Sequence, residues 1–314
     1  MTERLLRLEF RAVGTTCSAA VTAGVGDALR AGRALAATRA EVEECEAALS
    51  RFRPESDLSR LNAADGEWLS VDRRLVEALR LAVRAREDTE GRFDPTVLPA
   101  LVAAGYDKSF EQLDERAPRP ADDWRAGAAI EVEEGAGRAR VERGAAVDLG
   151  GIGKGYAATR ALEAMANAWP GMHGGLVDLG GDLALAGSTP EGGPWQIAIA
   201  DPRRPGTTAG VLLLDGGGVA TSGRDLRRFG PGGSLHHLID PATGEPALPG
   251  PLAVTVVAAT AAEAEAHATA LAISTREDAA AHIAAHPALS ALFIPADGEP
   301  VALGPLPLAE QKAA

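Results

Sequence analysis

From Leu5 to Thr15 apolar and polar residues alternate, with Leu6, Leu8, Phe10 and Ala12 on one side and Arg7, Glu9 and Arg11 on the other. That period of two predicts a half-buried strand ending at Gly14-Thr15, and Ser18 to Val21 continues the extended pattern. The period changes from Asp27 to Leu49, where Leu29, Leu35, Val42, Cys45 and Leu49 approximate one helical stripe and Glu41, Glu43, Glu44 and Glu46 supply a solvated face. A second helix is predicted over Asp72 to Glu87, with Leu75, Leu79 and Val83 at helical spacing. Between the two lies a polar loop, Ser50 to Asn62. Gly91 to Leu101 then breaks the pattern, because Pro95 and Pro99 fix φ and bias the residues before them away from helix.

Tyr106 to Ala128 is charged and proline-containing, and reads as a peripheral excursion anchored by Trp124. Ile130 to Val147 predicts a hairpin turning near Gly135 to Gly137. Val147-Asp148-Leu149-Gly150-Gly151-Ile152-Gly153-Lys154-Gly155-Tyr156 is an apolar run entering a glycine-dense turn and leaving as a helix through Ala157, Leu162 and Met165. Further strands are predicted at Gly174 to Gly187, paired about Gly180-Gly181, and at Trp195 to Ala200, Gly210 to Leu214 and Gly218 to Arg224. Leu235 to Pro246 reads as a strand stopped by a turn, and Val254 to Ala259 as another strand. Thr260 and Glu263 form a capping box that opens a helix from Ala261 to Ser274. Ala279 to Val301 predicts a helix and a strand at Ala291 to Pro295.

A chain of 314 residues with 46% hydrophobic composition can bury a large core, so one domain, or two packed subdomains, is expected over residues 1–303, with 304–314 as a flexible tail. The formal charge of -13, from 31 basic and 44 acidic residues, argues against a nucleic-acid surface and against adhesion to anionic lipid. Any phosphate-bearing ligand must therefore be held by local devices. Two cysteines, Cys17 and Cys45, are too few for a disulfide framework. Arg7, Glu9 and Arg11 interrupt any apolar run near the start, so neither a signal peptide nor a lipid anchor at Cys17 is predicted. No stretch approaches the roughly 18 to 20 apolar residues of a membrane helix. A cytoplasmic protein without membrane insertion is expected.

The glycine turn at Asp148 to Tyr156 has the character of a phosphate or pyrophosphate site, since backbone N–H groups at a helix N-terminus can approach an anion closely. It departs from the Walker loop, because Gly155 follows Lys154 where Ser or Thr is required. It departs from the dinucleotide fingerprint too, with Tyr156 three residues after Gly153. By itself such a turn is more often a structural strand-to-helix connection than a ligand site. Glu265 and Thr269 are four apart on one helix face and offer oxygen to a common point, which suits a hard cation such as Mg2+; an ordinary surface Glu and Thr would show the same spacing. His236-His237 is either a surface pair or a source of imidazole, and Asp94 before Pro95 either a turn former or a site acid.

Taken in order, these stretches resemble the ApbE family of FAD:protein FMN transferases from about residue 10 to about 275. The resemblance rests on Val13-Gly14-Thr15, Ser50 to Asn62, Gly91 to Val97, Asp148 to Tyr156, Leu179-Gly180-Gly181-Asp182, Ala220-Thr221-Ser222-Gly223, His237 to Pro241 with Thr243-Gly244, and Ala264 to Leu271. It implies an α+β fold of mixed or antiparallel sheets with packed helices and an FAD crevice. It also implies Mg2+-dependent transfer of FMN from FAD to a Ser or Thr hydroxyl of an acceptor protein, with release of AMP. Carried over by position, Val13, Phe52, Arg92, Phe93, Asp94, Asp148, Lys154 and Leu238 would contact FAD, with Phe52 stacking on the flavin and Lys154 meeting phosphate. The carbonyl of Gly151 and the side chains of Glu265 and Thr269 would hold the metal, and His237 would act as general base. Val13 stands where the family usually has methionine. Glu265 stands where it usually has aspartate, and the extra methylene is expected to shift the ion or admit Mn2+ or Ca2+. The alternatives are an FAD pyrophosphatase, with water in place of the acceptor, and an FAD-binding protein weakened in catalysis.

Overall fold

The alternating segments pair into one long antiparallel sheet. The computed structural model describes residues 3–309 except 110–111, 114–117, 120, 122–123, 225–227, 231, 233–234 and 248–249. Its main sheet has eight strands in the order β1-β2-β6-β7-β10-β15-β16-β17. These are β1 (Arg4–Ala12), β2 (Thr15–Ala23), β6 (Gly174–Asp178), β7 (Leu183–Gly187), β10 (Gly216–Gly223), β15 (Ala253–Ala258), β16 (Ser290–Ile294) and β17 (Val301–Leu303). The predicted strand Leu5 to Thr15 and its continuation are in fact two strands of a hairpin, because Val13 and Gly14 both take positive φ, 46° and 70°, and reverse the chain. A β-branched residue seldom occupies that region, so the tight turn is held there by its flanking strands.

Helices cover one face. α1 (Ala28–Leu49) and α5 (Gly153–Ala168) pack together and onto the sheet, and α6 (Ala261–Ala272) lies across β10 and β15. Val42, Ala157, Ala161 and Met165 fill the largest core cluster together with Val21 and Val177 from the sheet. α3 (Arg73–Asp88) and a three-stranded sheet of β3 (Leu69–Ser70), β5 (Arg138–Val141) and β4 (Ile130–Glu133) flank that layer. α7 (Arg276–Ala285) packs beside β16 and β17. On the opposite face a two-stranded ribbon, β8 (Trp195–Ala200) with β9 (Thr208–Leu214), buries Trp195, Ile199 and Leu212 over Leu183, Leu185 and Val219.

Local chemistry explains where other predictions need correction. The loop Ser50 to Asn62 contains a helix, α2 (Asp57–Asn62), because Ser56 caps it by accepting from the Ser59 N–H at 3.0 Å. The turn at Gly91 to Leu101 runs into α4 (Leu98–Ala104), which tolerates Pro99 in its first turn, where no intrahelical donor is needed. Leu235 to Pro246 is three two-residue strands, β12 (Leu235–His236), β13 (Ile239–Asp240) and β14 (Glu245–Pro246), with β11 (Arg228–Phe229) pairing β12. Trp124 is the predicted anchor, its indole N–H donating to the Thr96 carbonyl at 2.9 Å. The described part of the expected tail, 304–309, lies along β9, with the Leu213 N–H donating to Pro307 and the Ala309 N–H to Val211, each at 2.8 Å. Among the described residues no helix is long and apolar enough to cross a membrane.

Candidate functional site

The turn between β5 and α5 brings its glycines against α6. A side chain at Gly155 would place its Cβ 2.2 Å from the Ala261 carbonyl oxygen, and one at Gly151 would sit 2.9 Å from Thr269 Oγ1. Glycine at these positions lets two helix N-termini meet, and the meeting assembles a charged clamp. Glu265 reaches from α6 to accept from the Gly155 N–H at 2.7 Å and from Lys154 Nζ at 2.8 Å. Lys154 also pairs with Asp182, which follows the Gly180-Gly181 turn. Both carboxylates are almost wholly buried, with side-chain exposures of 3%, while Lys154 keeps 20%.

Burial alone would lower the Lys154 pKa, but the charges of Asp182 and Glu265 outweigh it and hold the ammonium firmly protonated. For Glu265, burial is the larger effect and raises its pKa; the neighbouring Asp182 charge raises it further, against Lys154 and the Gly155 N–H. Lys154 thus bridges two carboxylates and keeps part of its side chain exposed.

A cavity of about 1060 Å³ opens beside the clamp, and all twelve residues singled out in the sequence line it. Phe52 keeps 44% of its surface exposed and meets Tyr106 edge-on with ring centroids 6.2 Å apart. The Arg51 guanidinium lies 4.1 Å from the Phe52 ring centroid and pairs with Asp148 at 2.6 Å, while Asp148 also accepts from the Gly150 N–H at 2.8 Å. Arg92 pairs with Glu90 at 3.1 Å, and Phe93 beside it is buried. Asp94 is turned inward: its carboxylate accepts from the Thr96 N–H at 2.8 Å, the Thr96 hydroxyl at 2.7 Å and the Gly127 N–H at 2.7 Å. Those bonds organise the turn at Pro95.

The histidine pair is divided at the end of β12, whose last residue is His236. His236 is buried with Nε2 3.0 Å from the Ala247 carbonyl, and burial holds its pKa below the ordinary value, so it is a neutral donor inside the fold. His237 faces the cavity, its ring centroid 6.3 Å from that of Tyr106, and Leu238 lines the wall next to it. Val13 enters from the β1–β2 turn.

Thr269 Oγ1 lies 3.5 Å from the Gly151 carbonyl oxygen and 3.4 Å from Ser222 Oγ. Two oxygens at that separation can ligate one small hard cation, whose ligands stand at about 2.1 Å. With Glu265 on the same helix face, the donor set is oxygen throughout and fits Mg2+ in kind. Among the described residues no group of three or more His, Cys, Asp and Glu is arranged to hold a metal. Two contributors had no role assigned from the sequence, Tyr106 and Asp182, while Arg51, one of the loop arginines that could meet phosphate, is instead paired with Asp148. The paired glycines before Asp182 were the one local signal, since they mark close backbone approach.

Fold and cleft together define an α+β protein with a nucleotide-sized cavity between an aromatic wall and a carboxylate–lysine clamp. The chain belongs to the ApbE family, whose model matches residues 13–293. It is 30% identical over 287 residues to the FAD:protein FMN transferase of Klebsiella pneumoniae (strain 342), covering 87% of this chain and 79% of that protein. It is also 30% identical over 276 residues to the FAD:protein FMN transferase of Treponema pallidum (strain Nichols), covering 81% and 74%. The crystal structure of the ApbE protein from Thermotoga maritima superposes with a TM-score of 0.82 at 28% identity, over 95% of this chain and 96% of that one. The apo form of the Pseudomonas stutzeri flavinyl transferase ApbE gives 0.80 at 25%, over 96% and 94%.

Proposed function

We propose that this protein transfers the FMN moiety of FAD to a Ser or Thr hydroxyl of an acceptor protein and releases AMP. The observation that carries the reading is the convergence of all twelve residues on one cavity, beside a clamp of Lys154, Asp182 and Glu265. Similarity to proteins named FAD:protein FMN transferase supports the same chemistry.

In the transfer, the acceptor oxygen forms a bond to the flavin-side phosphorus of the pyrophosphate while the bond from that phosphorus to the AMP oxygen breaks. His237 takes the hydroxyl proton, and AMP departs with the bonding pair. Neutral imidazole titrates near working pH and suits that task. Phe52 offers its open ring face to isoalloxazine, with Val13 and Leu238 as apolar neighbours, and Arg92, Phe93 and Asp94 form the nucleotide wall. Asp148, oriented by Arg51, faces FAD from the glycine turn. Lys154 pairs with both carboxylates of the clamp next to the diphosphate and presents the exposed part of its ammonium toward it.

The Gly151 carbonyl, Thr269 and Glu265 would hold Mg2+, or Mn2+ or Ca2+ given the longer Glu265. Bound there, the ion would neutralise diphosphate charge and orient it for in-line displacement. Incubation with FAD, Mg2+ and proteins of a cell extract, followed by mass spectrometry, should reveal an FMN-sized increase on a Ser or Thr. Release of AMP and free FMN without any protein adduct would refute transfer and identify a pyrophosphatase. Bound FAD with neither product would mark a binding protein.

A further inference from the structure

The ribbon β8–β9 has one closed edge and one open edge. Its β9 side is covered by residues 304–309, which bond to Val211 and Leu213 and bridge Leu212 to Leu308. Among the described residues no strand pairs with the other side of β8. A strand that shows a cavity its face contributes every second residue, whereas one that shows its edge contributes them in sequence. Residues 195–202 all line the cavity in sequence. β8 therefore presents unpaired backbone along the cleft, a feature proteins otherwise cover or blunt.

Below that edge the main sheet supplies a floor. Two registered rows line it, Arg7–Ala20–Leu176 and Glu9–Ser18–Asp178. The centre of the floor is small, Ser18 and Ala20, so an added layer can lie close. The second row leads directly to the clamp, because Asp178 accepts from the Gly181 N–H at 2.8 Å next to Asp182.

We infer that the acceptor protein docks by adding an extended segment, which carries its hydroxyl residue, as a new strand on the open edge of β8 above this floor. The inference rests on the transferase reading, in which the acceptor is the one polypeptide that must enter the cleft, and the groove is continuous with the clamp where its hydroxyl reacts. Strand addition draws affinity from backbone pairing and selectivity from alternate side chains. The segment should carry small or apolar residues at every second position, facing Ser18, Ala20 and Leu176, and no proline where it pairs with β8.

The test uses the full-length protein with FAD, Mg2+ and a library of nine-residue peptides with threonine fixed at the centre. FMN-labelled peptides should show a period-two preference. N-methylation of the backbone at one parity of an accepted peptide should cut kcat/KM at least about 10-fold, and at the other parity about 2-fold or less. Amide exchange over residues 195–200 should slow with that peptide beyond the effect of FAD alone. Labelling without periodicity, equal tolerance of N-methylation at both parities, or unprotected β8 amides would each overturn strand addition. So would protection of β8 by raised protein concentration alone, which would assign the edge to a second copy. If extract proteins gain FMN while no peptide does, transfer stands and this docking mode falls; if FAD binds and nothing gains FMN, the transferase reading itself falls.

Discussion

Replacing Lys154 with methionine preserves most of the stem's volume and removes the charge from the clamp. Asp182 and Glu265, each with side-chain exposure of 3%, would then both lose the ammonium they share. Breaking a buried ion pair by deleting one partner costs about 3–5 kcal/mol, a large share of the roughly 5–15 kcal/mol that holds a domain folded. The cost depends on pH, because the variant can escape by protonating one carboxylate. Burial and the Asp182 charge already raise the Glu265 pKa in the native protein, and loss of the ammonium raises it further. A carboxyl group with a raised folded-state pKa contributes stability that is full below its unfolded value, near 4.5, and is lost as pH rises through the folded value. Thermal unfolding of Lys154→Met should therefore lie close to wild type at pH 5 and roughly 5–15 °C below it at pH 8. Adding Glu265→Gln to that variant should recover most of the loss at pH 8. Equal depression at both pH values, or none at pH 8, would refute a clamp held by charge.

Phe52→Ala should weaken FAD binding about 3- to 10-fold by loss of stacking while changing the melting temperature little, since the ring is 44% exposed; a flavin-fluorescence titration with unchanged Kd would contradict it. His237→Gln should slow flavin transfer by about 10²- to 10⁴-fold with the fold intact. His236→Phe should instead cost about 1–3 kcal/mol by orphaning the Ala247 carbonyl and leave the pH profile of transfer in place. Gly155→Ala should destabilise by about 3 kcal/mol or more because its Cβ meets backbone, whereas Gly153→Ala, with 3.6 Å to Leu149 Cβ, should stay within about 1 kcal/mol in a denaturation series. His267 and His282, 2.9 Å apart, have pKa values held down to about 4 first by burial and then by neighbouring histidine charge. Depressed values mean stability present above pH 6.5 and lost as pH falls toward 4, about 3 kcal/mol for one member, so His282→Gln should lose less on acidification from pH 7 to 4.5 than wild type does.

What was readable in advance has a common physical basis. Helices α1 and α3 and most strands of the main sheet were predictable because burial on one side imposes a period of 3.6 or 2, while α6, buried nearly all round, was readable from the Thr260 cap, a contact within one turn. The β1–β2 hairpin escaped prediction because Val13 adopts a conformation its own side chain disfavours, and only the pairing of two nine-residue strands holds it there. α2 and α4 are too short for periodicity to reveal. Residues 304–309 carry no local signal, since their order comes from β9.

For the site, residue type and order along the chain were enough to nominate twelve positions and the family, because the chemistry of FAD transfer restricts which groups can serve. Partnership was invisible. Lys154 and Glu265 are 111 residues apart, and Asp182 lies on a third element, so their mutual neutralisation exists only when Gly151 and Gly155 let α5 and α6 touch. Which histidine faces the cavity was likewise undetermined, since β12 ends at His236 and only the bond of His236 to the Ala247 carbonyl turns that ring inward and leaves His237 to the cavity. The sequence by itself determined the ingredients of the site; the charge state of the clamp and the open edge of β8 were decided by the tertiary structure, because both depend on distances between segments that no local pattern encodes.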